Sequence, residues 1–291
     1  MTEARTDVAH RSRLGDDDDV GGRTASPTHP GRRWWHRIGF TTSRRRALIS
    51  MLVGIAIWEF VARVLVDGSL FFVPLTDVVR AGYELTLSGE LQHHAWVSFQ
   101  EFFYGLVLAV LVGVPLGMAV GISARVRDYV QPWISGLYST PLIALAPLFI
   151  LWLGIGVISK VAVVFAMALF PITINTTAGI KNTDQDLIDV ARAFGYSRIE
   201  IFRKVLLPSA LSFIVTGFRL AVGRGIVAVV VAEFFGSRAG LGYLILVSSQ
   251  SFAMDRLLLA VLLLAFTGVI GIGLVGRLER RLAPWREDMT V

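Results

Sequence analysis

The sequence predicts an all-α, polytopic membrane protein with six transmembrane helices. Hydrophobic residues make up 54% of its 291 residues and charged residues only 17%, a balance that is not typical of soluble domains. Six apolar stretches are each close to the ~20 residues that a helix needs to cross a bilayer. They cover approximately residues 47–66, 102–122, 130–153, 157–180, 209–235 and 257–275.

The two ends of the chain are polar and are predicted to lie outside the spans. Residues 1–45 hold an acidic run, Asp16 to Asp19, and several arginines, with no apolar period, so we expect a disordered cytoplasmic tail. The arginines next to the first span can contact anionic membrane lipid, or can simply set the topology. Residues 46–281 form the predicted transmembrane domain, and residues 282–291 form a second cytoplasmic tail.

Lysine and arginine are distributed unevenly between the two sides of the predicted bundle. The N-terminal tail, the turn with Arg125 and Arg127, the polar stretch 183–208 and the C-terminal end all fall on one side. The basic residues of the opposite side lie at loops or span ends and are Arg63, Arg80, Lys160, Arg238 and Arg256. Because positive charge marks the cytoplasmic side, both termini are predicted to be cytoplasmic.

The longest predicted outer loop runs from residue 67 to residue 97. It contains an amphipathic stretch, residues 77–87, which predicts a short helix. His93 and His94 are adjacent, so on a helix they would point about 100° apart and could not easily share a metal. We therefore expect a polar loop before span 2 and no metal site.

Two spans carry residues that shape helices. Span 2 has glycines at four-residue spacing, which lets helix backbones approach closely in lipid, within one subunit or between two; these are Gly113, Gly117 and Gly121. Span 3 has prolines, which free carbonyls and kink helices; these are Pro132, Pro141 and Pro147. The kinks are equally consistent with a solute pathway and with purely structural bends.

Charged residues inside spans indicate a protected interior, because a charge at the membrane centre costs roughly 2.5–3.5 kcal/mol on insertion scales. Glu59 and Arg63 are four residues apart and are predicted to neutralise each other. In span 5, two cations would suit an anionic solute, although Arg219 has the alternatives of reaching the cytoplasmic surface or a partner helix. The predicted pathway residues are Ser139, Thr140, Asn175, Thr176, Arg219, Arg224 and Glu233.

The segment 236–252 lies between spans 5 and 6. It is rich in glycine at its start, then apolar, then polar, and it is too short to cross the membrane and return. It predicts an outer re-entrant or gate segment, with a simple interfacial loop as the alternative.

The polar stretch 183–208 predicts two short helices joined by a turn. Thr183 and Asp186 have the spacing of a capping box, in which a hydroxyl and a carboxylate satisfy each other's backbone donors. Ser197 and Glu200 have the same spacing. The stretch is therefore predicted to form a compact helical hairpin between two spans.

The hairpin has features that fix its turn and its exposed face. Gly195 falls where a helix end favours positive φ, and Pro208 suits the first turn of the next helix. One face of the first helix is apolar, with Leu187, Val190, Ala191 and Phe194 at helical spacing. From periodicity alone, this face could pack on its own protein or on a partner.

Sequence signatures of enzymes are missing from the chain. It has no cysteine, which excludes disulfides, thiolate catalysis and zinc–thiolate sites. Gly271, Gly273 and Gly276 form a GxGxxG pattern, but it lies inside an apolar span with no strand before it and predicts helix packing. With no GxxxxGK[ST], HExxH or GxSxG, we expect no catalytic residue, no metal site and no cofactor in this chain. The positive charge is explained by the cytoplasmic ends of the spans and does not require nucleic acid.

One pattern in the hairpin is more specific than its periodicity. Asp189-Val190-Ala191 is followed after three residues by Gly195, and Val205, Leu207 and Pro208 follow at the offsets of a known motif. The pattern resembles the cytoplasmic EAA loop of ABC importer permeases, with Asp in place of Glu and Val in place of Ala and Ile.

The resemblance extends over about residues 46–281. It includes the segments 144–156, 175–195 and 230–245, which are similar to the nitrate/sulfonate/taurine branch of these permeases. It implies the permease subunit of an ATP-driven importer, for a small anionic solute such as nitrate, a sulfonate or taurine. In that family the EAA loop is a coupling helix that lies in a groove of a separate ATPase subunit, which binds ATP and Mg²⁺.

Residue by residue, the resemblance places the ATPase contact at Asp186, Leu187, Asp189, Val190, Ala191, Phe194, Gly195, Leu207 and Pro208. It also implies a homodimeric pore, an extracytoplasmic solute-binding protein and a location in the bacterial cytoplasmic (inner) membrane. An ion-gradient-driven secondary transporter is the alternative, which usually shows an internal repeat and intramembrane acids, and Glu233 is the candidate acid. A membrane enzyme would need a clustered catalytic set, which the sequence does not contain.

Overall fold

The structure is a computed structural model and describes residues 39–65 and 72–282, with side chains from 45 to 65 and from 72 to 281. The chain divides into two units, residues 1–53 and 54–291. In the first unit the structure shows the start of helix α1, which begins at Gly39, within the last residues of the predicted tail. The rest of the predicted N-terminal tail and nearly all of the C-terminal tail lie outside the described residues.

The described residues are helical almost throughout and contain no strand. Short π-helical turns extend α1 over Val61–Leu65 and join α8 to α9 over Phe202–Leu206, and a 3₁₀ turn, Leu142–Leu145, precedes α5. The α-helices are α1 Gly39–Phe60, α2 Leu75–Leu87, α3 Glu90–Ile122, α4 Ala124–Ser139, α5 Ala146–Leu153, α6 Val157–Lys181, α7 Gln185–Ala193, α8 Arg198–Ile201, α9 Leu207–Phe234, α10 Leu241–Gln250 and α11 Met254–Leu282.

The predicted number of spans agrees with the helices of the described residues. Five helical segments there are long and apolar enough to cross a membrane, and a sixth span results if the bent pair α4–α5 is counted as one. The five segments are Arg45–Leu65, Glu90–Ile122, Val157–Lys181, Arg198–Phe234 and Met254–Arg281.

The predicted third span, residues 130–153, is wrong as a single helix. Helices α4 and α5 meet at an angle of 83°. Thr140 is extended, with φ −77° and ψ 139°, because the ring of Pro141 disfavours the helical conformation in the residue before it. Pro141 therefore breaks this span, whereas Pro132 lies inside α4 and Pro147 lies in the first turn of α5.

The centre of the fold consists of α3, α6 and α9. Their contact surface is built from small and β-branched side chains that are fully buried, among them Ala109, Ala168, Ile172 and Ala221. The glycines of α3 lie directly against α6, and Thr177 donates a hydrogen bond to the Gly117 carbonyl over 3.1 Å. The predicted close approach at these glycines is therefore confirmed as packing within one chain.

The predicted outer loop 67–97 is wrong at its C-terminal end, over residues 90–97. The amphipathic helix exists as α2, but α3 already begins at Glu90 and carries both histidines, whereas span 2 was expected to begin near residue 102. Hydropathy misplaced this start because the first turns of α3 contain polar residues, including His94, that are buried against polar partners. Residues 66–71 lie outside the described residues.

Segment 236–252 mainly forms the short helix α10, packed on α3, α9 and α11. Leu241, Leu244 and Ser248 are buried, so one face of α10 belongs to the core. The turn before it, from Phe235 to Gly240, connects it to the end of α9. The segment is thus an ordered helix rather than a simple loop.

Candidate functional site

The hairpin of α7 and α8 is held by side-chain caps at both helix starts. The predicted capping box at Ser197 is confirmed: the Glu200 amide donates to the Ser197 hydroxyl over 3.3 Å, and the Ser197 amide donates to the Glu200 carboxylate over 2.9 Å. The prediction for Thr183 is wrong, because Asp184 caps α7 through the Asp186 amide. Helix α6 ends close by, and the Thr183 hydroxyl donates to the carbonyl of Gly179, one turn back in α6.

The turn after α7 has the geometry predicted for Gly195. This residue has φ +78°, in the left-handed region that favours glycine. The Tyr196 amide donates to the Ala191 carbonyl over 3.1 Å and the Gly195 amide to the Arg192 carbonyl over 2.9 Å, which together make a Schellman motif. The direction in which α8 leaves α7 is therefore fixed by backbone hydrogen bonds.

An apolar ridge lies exposed on α7. Leu187 and Val190 are each 53% exposed and Phe194 is 79% exposed, whereas Ala191 is buried. The ridge borders an open pocket of ≈ 330 Å³ whose far wall is formed by Val205 of the π-helical turn and Pro208 of α9. Among the residues that the structure describes, none covers this apolar face.

The acidic residues of the hairpin lie beside this ridge. Asp186 and Asp189 are exposed, and the Asp189 carboxylate accepts from Arg192 over 3.0 Å and from Gln185 over 3.2 Å. Leu207 and Pro208 are half-buried at the first turn of α9, where Pro208 was expected. The structure thus brings all the predicted coupling residues to one end of the bundle.

The two arginines of α9 have different surroundings. Arg219 forms an ion pair with Glu279 of α11, which is the partner-helix alternative considered for it. Arg224 is exposed, donates to the Tyr138 hydroxyl over 2.8 Å and lies over the Tyr138 ring, 5.0 Å from its centroid. Tyr138, Ser139 and Thr140 are exposed at the break between α4 and α5, so three predicted pathway residues, with Tyr138, come together there.

Glu233 lies elsewhere, in the core. It is 0% exposed, and its carboxylate accepts hydrogen bonds from the Ser98 hydroxyl and from the amides of Gly242 and Tyr243. These amides form the N-terminus of α10, where the helix dipole favours an anion. Glu233 therefore caps α10, and this fixed role does not favour it as the mobile acid of an ion-driven transporter.

The remaining predicted pathway residues, Asn175 and Thr176, lie on α6. Neither is among the contacts found for Arg224. Asn175 is half-buried and donates to the Pro171 carbonyl over 2.8 Å. Thr176 is fully buried against the position of Gly117. Both side chains take part in packing within the bundle.

Sequence reasoning missed the buried polar residues that surround Glu233. His94, Ser98 and Glu101 lie on one stripe of α3 at helical spacing, and Lys160 of α6 donates to the Gly236 carbonyl over 3.1 Å. His94 accepts from the Gly240 amide over 3.0 Å. The polar residues at positions i, i+4 and i+7 before an apolar run were the signal that could have revealed this stripe.

Residues 109–284 match the family model for the binding-protein-dependent transport system inner membrane component. The chain belongs to this family. The match covers more than half of the chain, and it includes the hairpin, the α4–α5 break and α9 to α11. The permease function expected from the sequence is therefore confirmed.

Relatives of this permease over most of its length are transport permeases. The putative aliphatic sulfonates transport permease protein SsuC of Bacillus subtilis (strain 168) is 34% identical over 244 residues, 84% of this chain and 88% of that protein. The taurine transport system permease protein TauC of Escherichia coli (strain K12) is 31% identical over 82% of this chain and 89% of that protein. The nitrate import permease protein NrtB of Leptolyngbya laminosa is 29% identical over 81% and 86%.

Solved structures support the fold of the permease. The inward-facing methionine ABC transporter MetNI matches with a TM-score of 0.56 at 20% identity, over 66% of this chain and 95% of the MetNI chain. An amino acid ABC transporter solved with histidines matches with a TM-score of 0.55 at 17% identity, over 70% and 96%. The all-α, multi-pass architecture predicted from the sequence is that of ABC transporter membrane subunits.

Proposed function

We propose that this permease couples to a separate ATPase through residues 183–208 and imports a small anionic solute. The observation that carries the proposal is the exposed apolar ridge of Leu187, Val190 and Phe194. Burying such side chains contributes about 1.5–3 kcal/mol each, so the ridge can supply most of the binding energy of a modest interface. The acidic side chains beside it, Asp186 and Asp189, add charges that can orient a partner.

The hairpin is built to transmit movement into the spans. Its first helix follows α6 after a short turn, and its second continues through a π-helical turn into α9. The Schellman motif at Gly195 and the capping box at Ser197 hold the two short helices in one geometry. A displacement of the ridge by the ATPase would therefore move α6 and α9. ATP binding would shift the population between inward-open and outward-open states by favouring one of them.

The assembly that fits this role contains more than one chain. We propose two copies of this permease as the pore, an extracytoplasmic solute-binding protein, and ATP with Mg²⁺ bound by the ATPase. We further propose a location in the bacterial cytoplasmic membrane with both termini in the cytoplasm, as the distribution of lysine and arginine predicts. Aliphatic sulfonates, taurine and nitrate appear in the names of relatives, which supports a small solute with an anionic oxygen group, such as a sulfonate or nitrate.

Co-purification of the ATPase from native membranes in mild detergent tests the coupling. Phe194→Glu places a charge in the ridge, and we expect it to weaken ATPase binding at least about 100-fold, since burying an unpaired charge costs roughly 3–5 kcal/mol. Ile199→Glu is the matched control, because Ile199 is 70% exposed on α8 and does not border the pocket. Undiminished ATPase recovery with Phe194→Glu would overturn the proposed contact, and a wild-type chain that purifies without any ATPase would overturn the importer.

A further inference from the structure

We infer that Arg224 and Tyr138 form an oxyanion-binding site on the solute pathway, at the break between α4 and α5. The inference rests on the proposed import of an anion and names the residues that would recognise it. Arg224 comes from the middle of α9 and Tyr138 from the last turn of α4, so two spans contribute. Their contact is a hydrogen bond of 2.8 Å from the guanidinium to the phenol oxygen.

The first argument is the unbalanced charge of Arg224. Arg63, Arg192 and Arg219 each have a carboxylate partner, Glu59, Asp189 and Glu279 respectively. Over the described ranges of the chain, Arg224 forms no ion pair, and the contacts found for it are the hydroxyl and the ring of Tyr138. Tyrosine leaves the positive charge in place while orienting the guanidinium, which is the state that an anion site requires.

The second argument is the position of the exposed Arg224 side chain relative to the membrane. Arg224 lies within a membrane-spanning segment, and an uncompensated cation there does not face lipid. Its exposed side must therefore meet water or protein. The neighbouring break points to the same conclusion independently, because non-helical backbone at membrane depth is tolerated where it lines an aqueous cavity or is covered by protein. Ser139 and Thr140 are exposed at this break.

The third argument is the chemistry of the guanidinium. Its N–H donors form a planar fork that matches the oxygens of a carboxylate, nitrate or sulfonate. One donor is used by Tyr138, and the others remain for a ligand. The site therefore selects an oxyanion over a neutral solute of similar size, and its specificity depends on the guanidinium geometry as well as on the charge.

The test is ATP-driven uptake by the permease–ATPase complex in proteoliposomes with its binding protein, using nitrate, ethanesulfonate and taurine as probes. We expect Arg224→Gln to raise the KM for the transported anion at least about tenfold, Arg224→Lys to give an intermediate value, and Tyr138→Phe to raise it a few-fold. Arg125→Gln and Tyr129→Phe are the matched controls, since both residues are exposed on α4 away from the break. Co-purification of the ATPase with each variant shows that the complex has assembled.

The outcomes separate this inference from the proposed function. An unchanged KM in Arg224→Gln overturns the anion site while leaving the importer intact. Loss of the permease dimer in both Arg224→Gln and Arg224→Lys, seen by light scattering, also overturns it, because Arg224 would then serve subunit assembly. A wild-type complex that hydrolyses ATP and imports none of the three probes, each of which carries an oxyanion group, overturns the anion site but not the ATPase coupling.

Discussion

The carboxylate of Glu233, near the end of α9, accepts a hydrogen bond of 2.5 Å from the backbone amide of Gly242, in the first turn of α10. Glu233 also accepts from the Ser98 hydroxyl over 2.5 Å, and the Leu241 amide donates in turn to Ser98 over 2.7 Å. A single buried carboxylate thus satisfies donors that the start of α10 would otherwise leave unpaired. Through it, α3 and α9 together determine where α10 lies.

We predict that Glu233→Ala loosens α10 without unfolding the bundle. The substitution leaves the amides of Gly242 and Tyr243 without acceptors in a buried place, at about 1–3 kcal/mol for each unsatisfied group. Amide hydrogen exchange across residues 241–250 should accelerate at least tenfold, while exchange in α6 stays as in the wild type. Glu84→Ala, on the exposed face of α2, is the control. Unchanged exchange in α10 would show that Glu233 does not hold this helix.

Glu101 tests the buried polar cluster around Glu233, which consists of His94, Ser98, Glu101, Lys160 and Glu233. Its side chain is 1% exposed and contacts the carboxyl group of Glu233, and its Oε2 has no hydrogen-bond donor within the described part of the chain. Glu101→Gln keeps the shape and supplies an amide donor, so we expect a higher midpoint of thermal unfolding in detergent, by the ~1 kcal/mol of one hydrogen bond. Glu101→Ala should lower the midpoint, since it leaves a cavity. A lower midpoint for Glu101→Gln would indicate that the cluster relies on the charge of Glu101, with Lys160 as its counter-ion.

This cluster shows what the sequence could and could not predict. Five of the six spans, the capping box at Ser197 and the turn at Gly195 follow from local signals, namely hydropathy and residue spacing, and the described residues contain them. The role of Glu233 depends on the amides of another helix and on Ser98, which is 135 residues away in sequence. Its placement on a solute pathway was an inference from charge alone, because hydropathy identifies a buried charge but not its partner. For the same reason, the start of α3 was placed too late.

The contact between α3 and α6 should depend on the size of residue 117. A Cβ atom at Gly117 would lie 2.6 Å from the Thr173 carbonyl oxygen and 2.6 Å from the Thr176 Cβ, so the helices would have to separate. In lipid the association of helices relies on such close packing, and we expect Gly117→Ala to destabilise the bundle by about 1–3 kcal/mol. Gly136→Ala is the matched control, because in the described part of the chain no atom lies within 4 Å of the new Cβ. Equal thermal midpoints for the two variants would contradict the packing role of Gly117.

Substitutions at Gly195 distinguish the effect of backbone conformation from that of steric crowding in the hairpin of α7 and α8. A Cβ at Gly195 would meet no atom of the described residues within 4 Å, so crowding against those residues cannot explain the effect of a substitution there. Its φ of +78° nevertheless costs a residue with a side chain roughly 1–2 kcal/mol, and asparagine is among the residues that tolerate it best.

We therefore expect Gly195→Ala to weaken ATPase co-purification several-fold by loosening the turn that positions Phe194, and Gly195→Asn to retain most of it. Gly195→Asp, which adds a charge beside the ridge, should abolish docking while the chain still inserts into the membrane. The measurement is ATPase recovery at graded ATPase concentrations with equal amounts of permease. If alanine and asparagine weaken recovery equally, the glycine is needed for its open surface rather than for its φ, and the ATPase must contact it directly.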